Sequence, residues 1–159
     1  MAAVLKPKRD DGAPDPAPGL DQTRLKRLIG YNLRRAEVAM RGRVARTLED
    51  EDVRAVEYSI LSLVAGNAEV TQKDLGEALA VKRPNMVKLV ERLEARGLVS
   101  RSVMPRDRRN HLLALTPAGR ELLARLDARL DALEVEIFGT WGEAERAALK
   151  GLLERLHGA

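Results

Sequence analysis

Apolar residues recur along most of this chain at helical spacing, and the breaks in that spacing divide it into elements. Leu25, Leu28, Leu33, Ala36, Met40, Val44 and Leu48 fall close to a 3.6-residue period. They predict one long first helix over about residues 20–47. An acidic run at residues 49–52 opens a second helix, with Val53, Val56, Ile60, Leu61 and Val64 apolar and a stop at Gly66-Asn67. Thr71 and Asp74 stand at capping-box spacing, so a short helix starts near Gln72 and ends near Ala80. Pro84 fits the first turn of a further helix, where a missing N–H costs nothing, and Gly97 closes that helix. Two short helices separated by a few residues read as a helix-turn-helix.

The period then changes. Residues 98–103 and 111–116 read as two short strands of a hairpin whose tip is residues 104–110. Thr116 caps and Pro117 opens another helix, in which Leu122, Leu126, Leu130, Leu133 and Ile137 form a stripe. Thr140 and Glu143 are spaced as a capping box for a last helix carrying Leu149, Leu152, Leu153 and Leu156. The predicted fold is mainly α with a small β-hairpin: a winged helix-turn-helix flanked by N- and C-terminal helices. Residues 49–116 form the winged helix-turn-helix lobe, and residues 20–48 and 117–159 supply the flanking helices. Residues 1–19, rich in Pro, Gly and charge, read as a disordered tail. Its Lys6, Lys8 and Arg9 are either simply solvated or in touch with phosphates.

The 159 residues fit one domain, and 45% hydrophobic content suffices for a core. The net charge of +4 names no partner by itself. Cysteine is absent, which excludes thiolate catalysis, disulfides, redox sensing through cysteine and Cys-ligated zinc. The two histidines, His111 and His157, are far apart, so no metal site is expected. There is no nucleophile–base pair, phosphate-cradling glycine loop or metal-ligand spacing, so neither catalysis nor a cofactor is expected. Asp127 and Asp131, four apart on one helix, read as a solvated pair. No apolar run approaches the ~18 residues of a membrane span. The N-terminus also lacks the apolar core of a signal peptide, which points to the cytoplasm.

Charge is informative where it clusters. In the second helix of the helix-turn-helix, Met86, Leu89, Val90 and Leu93 share an inward face. Lys82, Arg83, Asn85 and Lys88 occupy its N-terminal end and the opposite face. A helix that reads the major groove needs that division: Asn pairs with adenine, and Arg or Lys pairs with guanine. At the hairpin, Arg101, Arg106, Arg108 and Arg109 crowd together around Asp107. Left alone they repel one another; facing phosphates they release counterions and gain affinity. A thin loop also fits the minor groove, where arginine senses a narrow, negative potential. Asp107 then orients a neighbouring arginine. The alternative is a winged-helix module that contacts other proteins and binds no specific DNA.

Leu93-Glu94-x-x-Gly97-Leu98-Val99, Asp107-Arg108-Arg109 and Leu115-Thr116-x-x-Gly119 together resemble the winged-helix signature of the MarR family of transcriptional regulators. The resemblance follows element order over residues 20–156, with its specific motifs within residues 71–120. It implies an obligate homodimer joined through the terminal helices. It also implies a palindromic double-stranded operator, usually repressed, and release by a small aromatic or anionic effector held between the dimer helices and the DNA lobe. By position, Lys82, Arg83, Asn85 and Lys88 take the recognition-helix contacts, and Arg106, Arg108 and Arg109 take the wing. Many members carry small hydroxyl residues where this chain has Arg83-Pro84-Asn85-Met86, which sets base preference apart. Independently of the family, the terminal apolar stripes need a partner surface. A twofold dimer sets two recognition helices about 34 Å apart, one DNA turn.

Tyr31, Arg34 and Arg35 place a phenol beside two guanidiniums on the first helix. They fit a carboxylate or phosphate, or else form surface and dimer ion pairs. Residues 32–40 resemble the first helix of MarR branches that govern aromatic-acid catabolism, which implies aromatic acids or hydroxycinnamoyl-CoA thioesters as effectors. His111 is a further candidate for the ligand pocket. Trp141 is another, although a core or interface position suits so large an aromatic better.

Overall fold

The computed structural model describes residues 19–104 and 107–158, and only the backbone of residues 104, 107–110 and 157. The chain divides into two compact units, residues 1–52 and 53–159. The predicted tail lies outside the described residues, apart from Gly19.

The first unit holds α1 (Thr23–Lys26) and α2 (Ile29–Glu49). The single helix expected over residues 20–47 is therefore interrupted. Leu28 is extended, with φ −87° and ψ 124°. The Asn32 side-chain amide donates to the carbonyls of Lys26 (2.8 Å) and Leu28 (2.9 Å). A helix end leaves carbonyls without partners, and the Asn32 amide satisfies that of Lys26, the last residue of α1, while the Leu28 carbonyl also accepts the Asn32 N–H. The apolar period runs straight through this break, which is why periodicity alone missed it. Leu48 is the buried residue of α2, while Leu25, Leu28, Ile29 and Leu33 remain exposed.

The second unit holds α3 (Ala55–Gly66), α4 (Gln72–Ala78), α5 (Arg83–Ala95), β1 (Val99–Met104), β2 (Asp107–Leu115), α6 (Pro117–Phe138) and α7 (Glu143–His157). Its core includes Ile60 and Leu61 of α3, Leu75 of α4, and Met86, Val90 and Leu93 of α5. Val99 and Leu113 of the strands and Leu122 and Leu126 of α6 belong to it as well. The strands are antiparallel, pairing Val99 with Leu115 and Val103 with His111, and their register slips between Val103 and Met104. β2 begins at Asp107, so most of the expected seven-residue tip belongs to a nine-residue strand. Val70 anchors this hairpin to the helices by accepting from the Leu113 N–H (2.8 Å).

Three junctions follow the expected chemistry. The Thr71 N–H donates to Asp74 Oδ2 (2.9 Å) and the Asp74 N–H donates to Thr71 Oγ1 (3.3 Å), a reciprocal cap. Gly97 closes α5 at φ +67°, the left-handed region that favours glycine. Thr116 Oγ1 accepts from the Gly119 N–H (3.0 Å) and donates to the Gly97 carbonyl (2.6 Å), which ties the start of α6 to the end of α5. Gly119 is needed for proximity: a Cβ there would collide with the Leu98 carbonyl oxygen.

One cap differs from expectation. Gly142, not Thr140, is the N-cap of α7, and its N–H donates to Glu145 Oε2 (2.7 Å). The N–H groups of Gly139 and Trp141 are bonded back to Val135 and Phe138, so Thr140 sits in the closing turn of α6. A cap needs extended backbone, and Gly142 has it at ψ 155°.

Candidate nucleic-acid interface

Helix α5 presents the division expected of a groove-reading helix. Pro84 occupies its first turn, and Met86, Val90 and Leu93 are buried. Leu89, expected on the inward face, is half-buried. Lys82, Arg83, Asn85 and Lys88 are all exposed, so the structure brings these four predicted residues together at one end of α5. Among the described residues Arg83 has no ion-pair partner, so its cation is available to an incoming anion.

An ion pair that sequence reasoning missed links this helix to α3. Glu57 is 0% exposed, and both its carboxylate oxygens accept from Arg92 Nη1, at 3.0 and 3.2 Å. Glu57 Oε2 also accepts from the Arg54 N–H (2.9 Å) at the start of α3. A buried carboxylate is tolerated only when charge and hydrogen bonds surround it. Glu57 therefore fixes α5 against α3 while capping α3. The signal was present in the sequence: Glu57 precedes Ile60, Leu61 and Val64 at steps of three, four and seven, so it lies within the apolar stripe of α3.

The wing is described in its strands. Arg106 lies outside the described residues. Asp107, Arg108 and Arg109 lie at the start of β2, with their side chains outside the description. Arg101, the fourth arginine of the cluster read from the sequence, pairs with Leu113. It lies further down β1, with Nε 3.0 Å from Glu94 Oε2 of α5 and a side chain only 26% exposed.

The ligand candidates fall in both units. Tyr31, Arg34 and Arg35 share α2, where the Tyr31 hydroxyl donates to Gln22 Oε1 (2.9 Å), Arg34 is exposed and Arg35 is half-buried. His111 belongs to the second unit, exposed on β2. Trp141 is 41% exposed, which corrects the core reading. It packs edge-on to Phe138 with ring centroids 5.2 Å apart. Asp127 is likewise not simply solvated: it accepts from the Tyr58 hydroxyl of α3 (2.8 Å). Burial, with this bond second, pushes the Tyr58 phenol up to about 12. Among the described residues no cluster of three acids or histidines is placed to hold a metal, and no helix is long and apolar enough to cross a membrane.

Residues 51–110, which contain the helix-turn-helix and the start of the wing, match the sequence profile of the MarR family. Over 130 residues, 81% of this chain and 78% of the relative, the sequence is 36% identical to a protein of Thauera aromatica whose name assigns it to transcriptional regulation of the hcr operon. The chain belongs to the MarR family. The transcriptional repressor CouR bound to a 23-mer DNA duplex superposes with a TM-score of 0.79 at 30% identity, covering 87% of this chain and 98% of CouR. CouR from Rhodococcus jostii RHA1 bound to p-coumaroyl-CoA superposes with a TM-score of 0.76 at 33% identity, covering 83% and 93%. This MarR protein is accordingly a DNA-binding transcriptional regulator with a winged-helix fold.

Proposed function

We propose that this MarR protein is a repressor that binds a palindromic operator as a homodimer and is released by a small aromatic acid or aromatic acyl-CoA. The observation that carries the reading is α5: four polar or cationic residues exposed at one end, over an apolar face that is buried. In this reading Lys82, Arg83, Asn85 and Lys88 enter the major groove. Arg106, Arg108 and Arg109 reach the minor groove from the wing, and Asp107 orients them. Residues 49–116 are the DNA-binding lobe.

Residues 20–48 and 117–159 supply the dimer contacts. In the single chain Leu152, Leu153 and Leu156 of α7 are exposed, as are Leu25, Ile29 and Leu33 of the first unit. Apolar residues repeated along both terminal segments suit a second copy of the same chain. The effector class is supported by the likeness to CouR, which was solved with p-coumaroyl-CoA. Tyr31, Arg34 and Arg35 of α2 are proposed to hold it, the guanidiniums taking the anionic group, and His111 of the second unit is a separate candidate. An effector that prefers the conformation unable to bind DNA weakens operator affinity by the ratio of its affinities for the two states.

The test is a panel of aromatic acids and their CoA thioesters titrated into the protein–operator complex. Release by one compound, with tighter binding of that compound to free protein than to the complex, supports the reading. Equal affinity for both forms contradicts the coupling.

A further inference from the structure

Helix α5 turns Pro84 away from the core. The buried residues of this helix are Met86, Val90 and Leu93. At about 100° per residue, Pro84 lies about 120–180° from each of them. Lys88 and Glu91 continue the same outward line at helical spacing, and all three are exposed. Arg83 and Asn85 stand about 100° to either side of Pro84. The middle of the face that meets a groove is therefore a pyrrolidine ring in the first turn, with a lysine one turn on.

That ring narrows what it can meet. Proline has no N–H, so α5 offers no backbone donor there. The next two N–H groups, of Asn85 and Met86, both donate to the Lys82 carbonyl, at 2.9 and 3.1 Å. A phosphate seated on a helix start needs free N–H groups, and these are committed within the helix. Glu91 on the outward line repels phosphate as well, which leaves base edges as the neighbours of the first turn. A base edge carrying a donor or acceptor loses water against the ring and gains no partner, which costs free energy. The apolar group that base pairs present in the major groove is the C5-methyl of thymine. The ring is also rigid, so the contact costs no rotamer freedom.

We infer that Pro84 is a specificity-determining residue whose ring packs on a thymine C5-methyl in each operator half-site, between the contacts of Arg83 and Asn85. This role rests on α5 being the helix that enters the major groove. It adds to the hydrogen-bonding residues a base preference carried by apolar contact alone.

The experiment uses the full chain as wild type, Pro84→Ser and Pro84→Val, each checked for folding by thermal unfolding. Wild type first selects its preferred duplex from a random library. Each thymine of the selected half-site is then replaced by deoxyuridine, which lacks only the methyl, and affinity is read by anisotropy. The expected result is one thymine whose replacement weakens wild type about fourfold, the worth of one buried methyl group. Pro84→Ser should bind the thymine duplex about fourfold more weakly than wild type and the uracil duplex to within about twofold of it. Pro84→Val, apolar without the ring, should keep most of the thymine-to-uracil factor. A Pro84 that only starts the helix gives a different pattern: Pro84→Ser weakens every duplex alike and leaves that factor unchanged. That pattern, or a selected site with no methyl-sensitive thymine, overturns the inference and leaves the operator reading standing. A wild type that enriches no sequence at all overturns both.

Discussion

Replacing Arg92 with methionine tests whether the buried pair with Glu57 positions the recognition helix. Met fills much of the stem volume of Arg but supplies no charge, so a carboxylate with 0% exposure would keep the Arg54 N–H and lose both contacts to Nη1. Breaking a buried pair by removing one partner costs about 3–5 kcal/mol. Arg92 is itself 30% exposed, so water can partly replace its charge, and the lower end, about 3 kcal/mol, applies. For a chain of this length each kcal/mol moves Tm by about 2–4 °C, giving a fall of about 6–12 °C. Calorimetry at fixed protein concentration reads it, since an oligomer's Tm depends on concentration. The double variant Glu57→Met with Arg92→Met removes the orphaned charge and should recover much of the loss. It still lacks the cap on the Arg54 N–H. A single variant that costs less than about 1 kcal/mol, or a double variant that costs the sum of the singles, refutes the reasoning.

Other consequences are equally direct. Gly119→Ala should cost at least about 1–3 kcal/mol in denaturant unfolding, because the new Cβ meets a backbone carbonyl that cannot rotate away. Thr71→Ala should cost about 1 kcal/mol through loss of the α4 cap. Hydrogen bonds from Thr71, side chain first, hold the Asp74 carboxyl below its ordinary 3.8. That contribution is present above pH 3.8 and is lost as pH falls through the lower folded value, so Thr71→Ala should flatten acid unfolding in that window. Tyr58 has the opposite sense: its folded pKa of about 12 exceeds the ordinary 10.0, so the unfolded chain loses the proton first. Stability should fall between pH 10.0 and about 12, and Tyr58→Phe should remove that fall in alkaline unfolding curves.

The parts of the fold legible in the sequence were those with local punctuation. Pro84, Gly97, the Thr71–Asp74 box and Thr116-Pro117 each satisfy or remove backbone donors within a few residues, so spacing alone located the helix ends around the interface. The cationic end of α5 was legible for the same reason, since helical period assigns a face to each residue. What escaped depended on distant partners or competing local bonds. The break before α2 needed the Asn32 amide to be seen as a cap for the Lys26 carbonyl. Arg101 lies 3.0 Å from Glu94 of α5, a partner that its spacing from the wing arginines does not reveal. Glu57 lies within the apolar stripe of α3, but its partner Arg92 is 35 residues away, beyond the reach of local spacing. Thr140 was mistaken for a cap because α6 runs to Phe138, two residues before it.

The central claim is that the exposed end of α5 reads DNA. Fluorescence anisotropy should compare wild type with an Arg83→Ala, Asn85→Ala, Lys88→Ala variant on the labelled duplex upstream of the protein's own gene. A scrambled duplex serves as control, and both proteins are followed over a salt series. The account predicts selective binding by wild type, and loss of that selectivity in the triple variant with a shallower salt slope. A folded triple variant that binds the same duplex with unchanged affinity, selectivity and slope would contradict it.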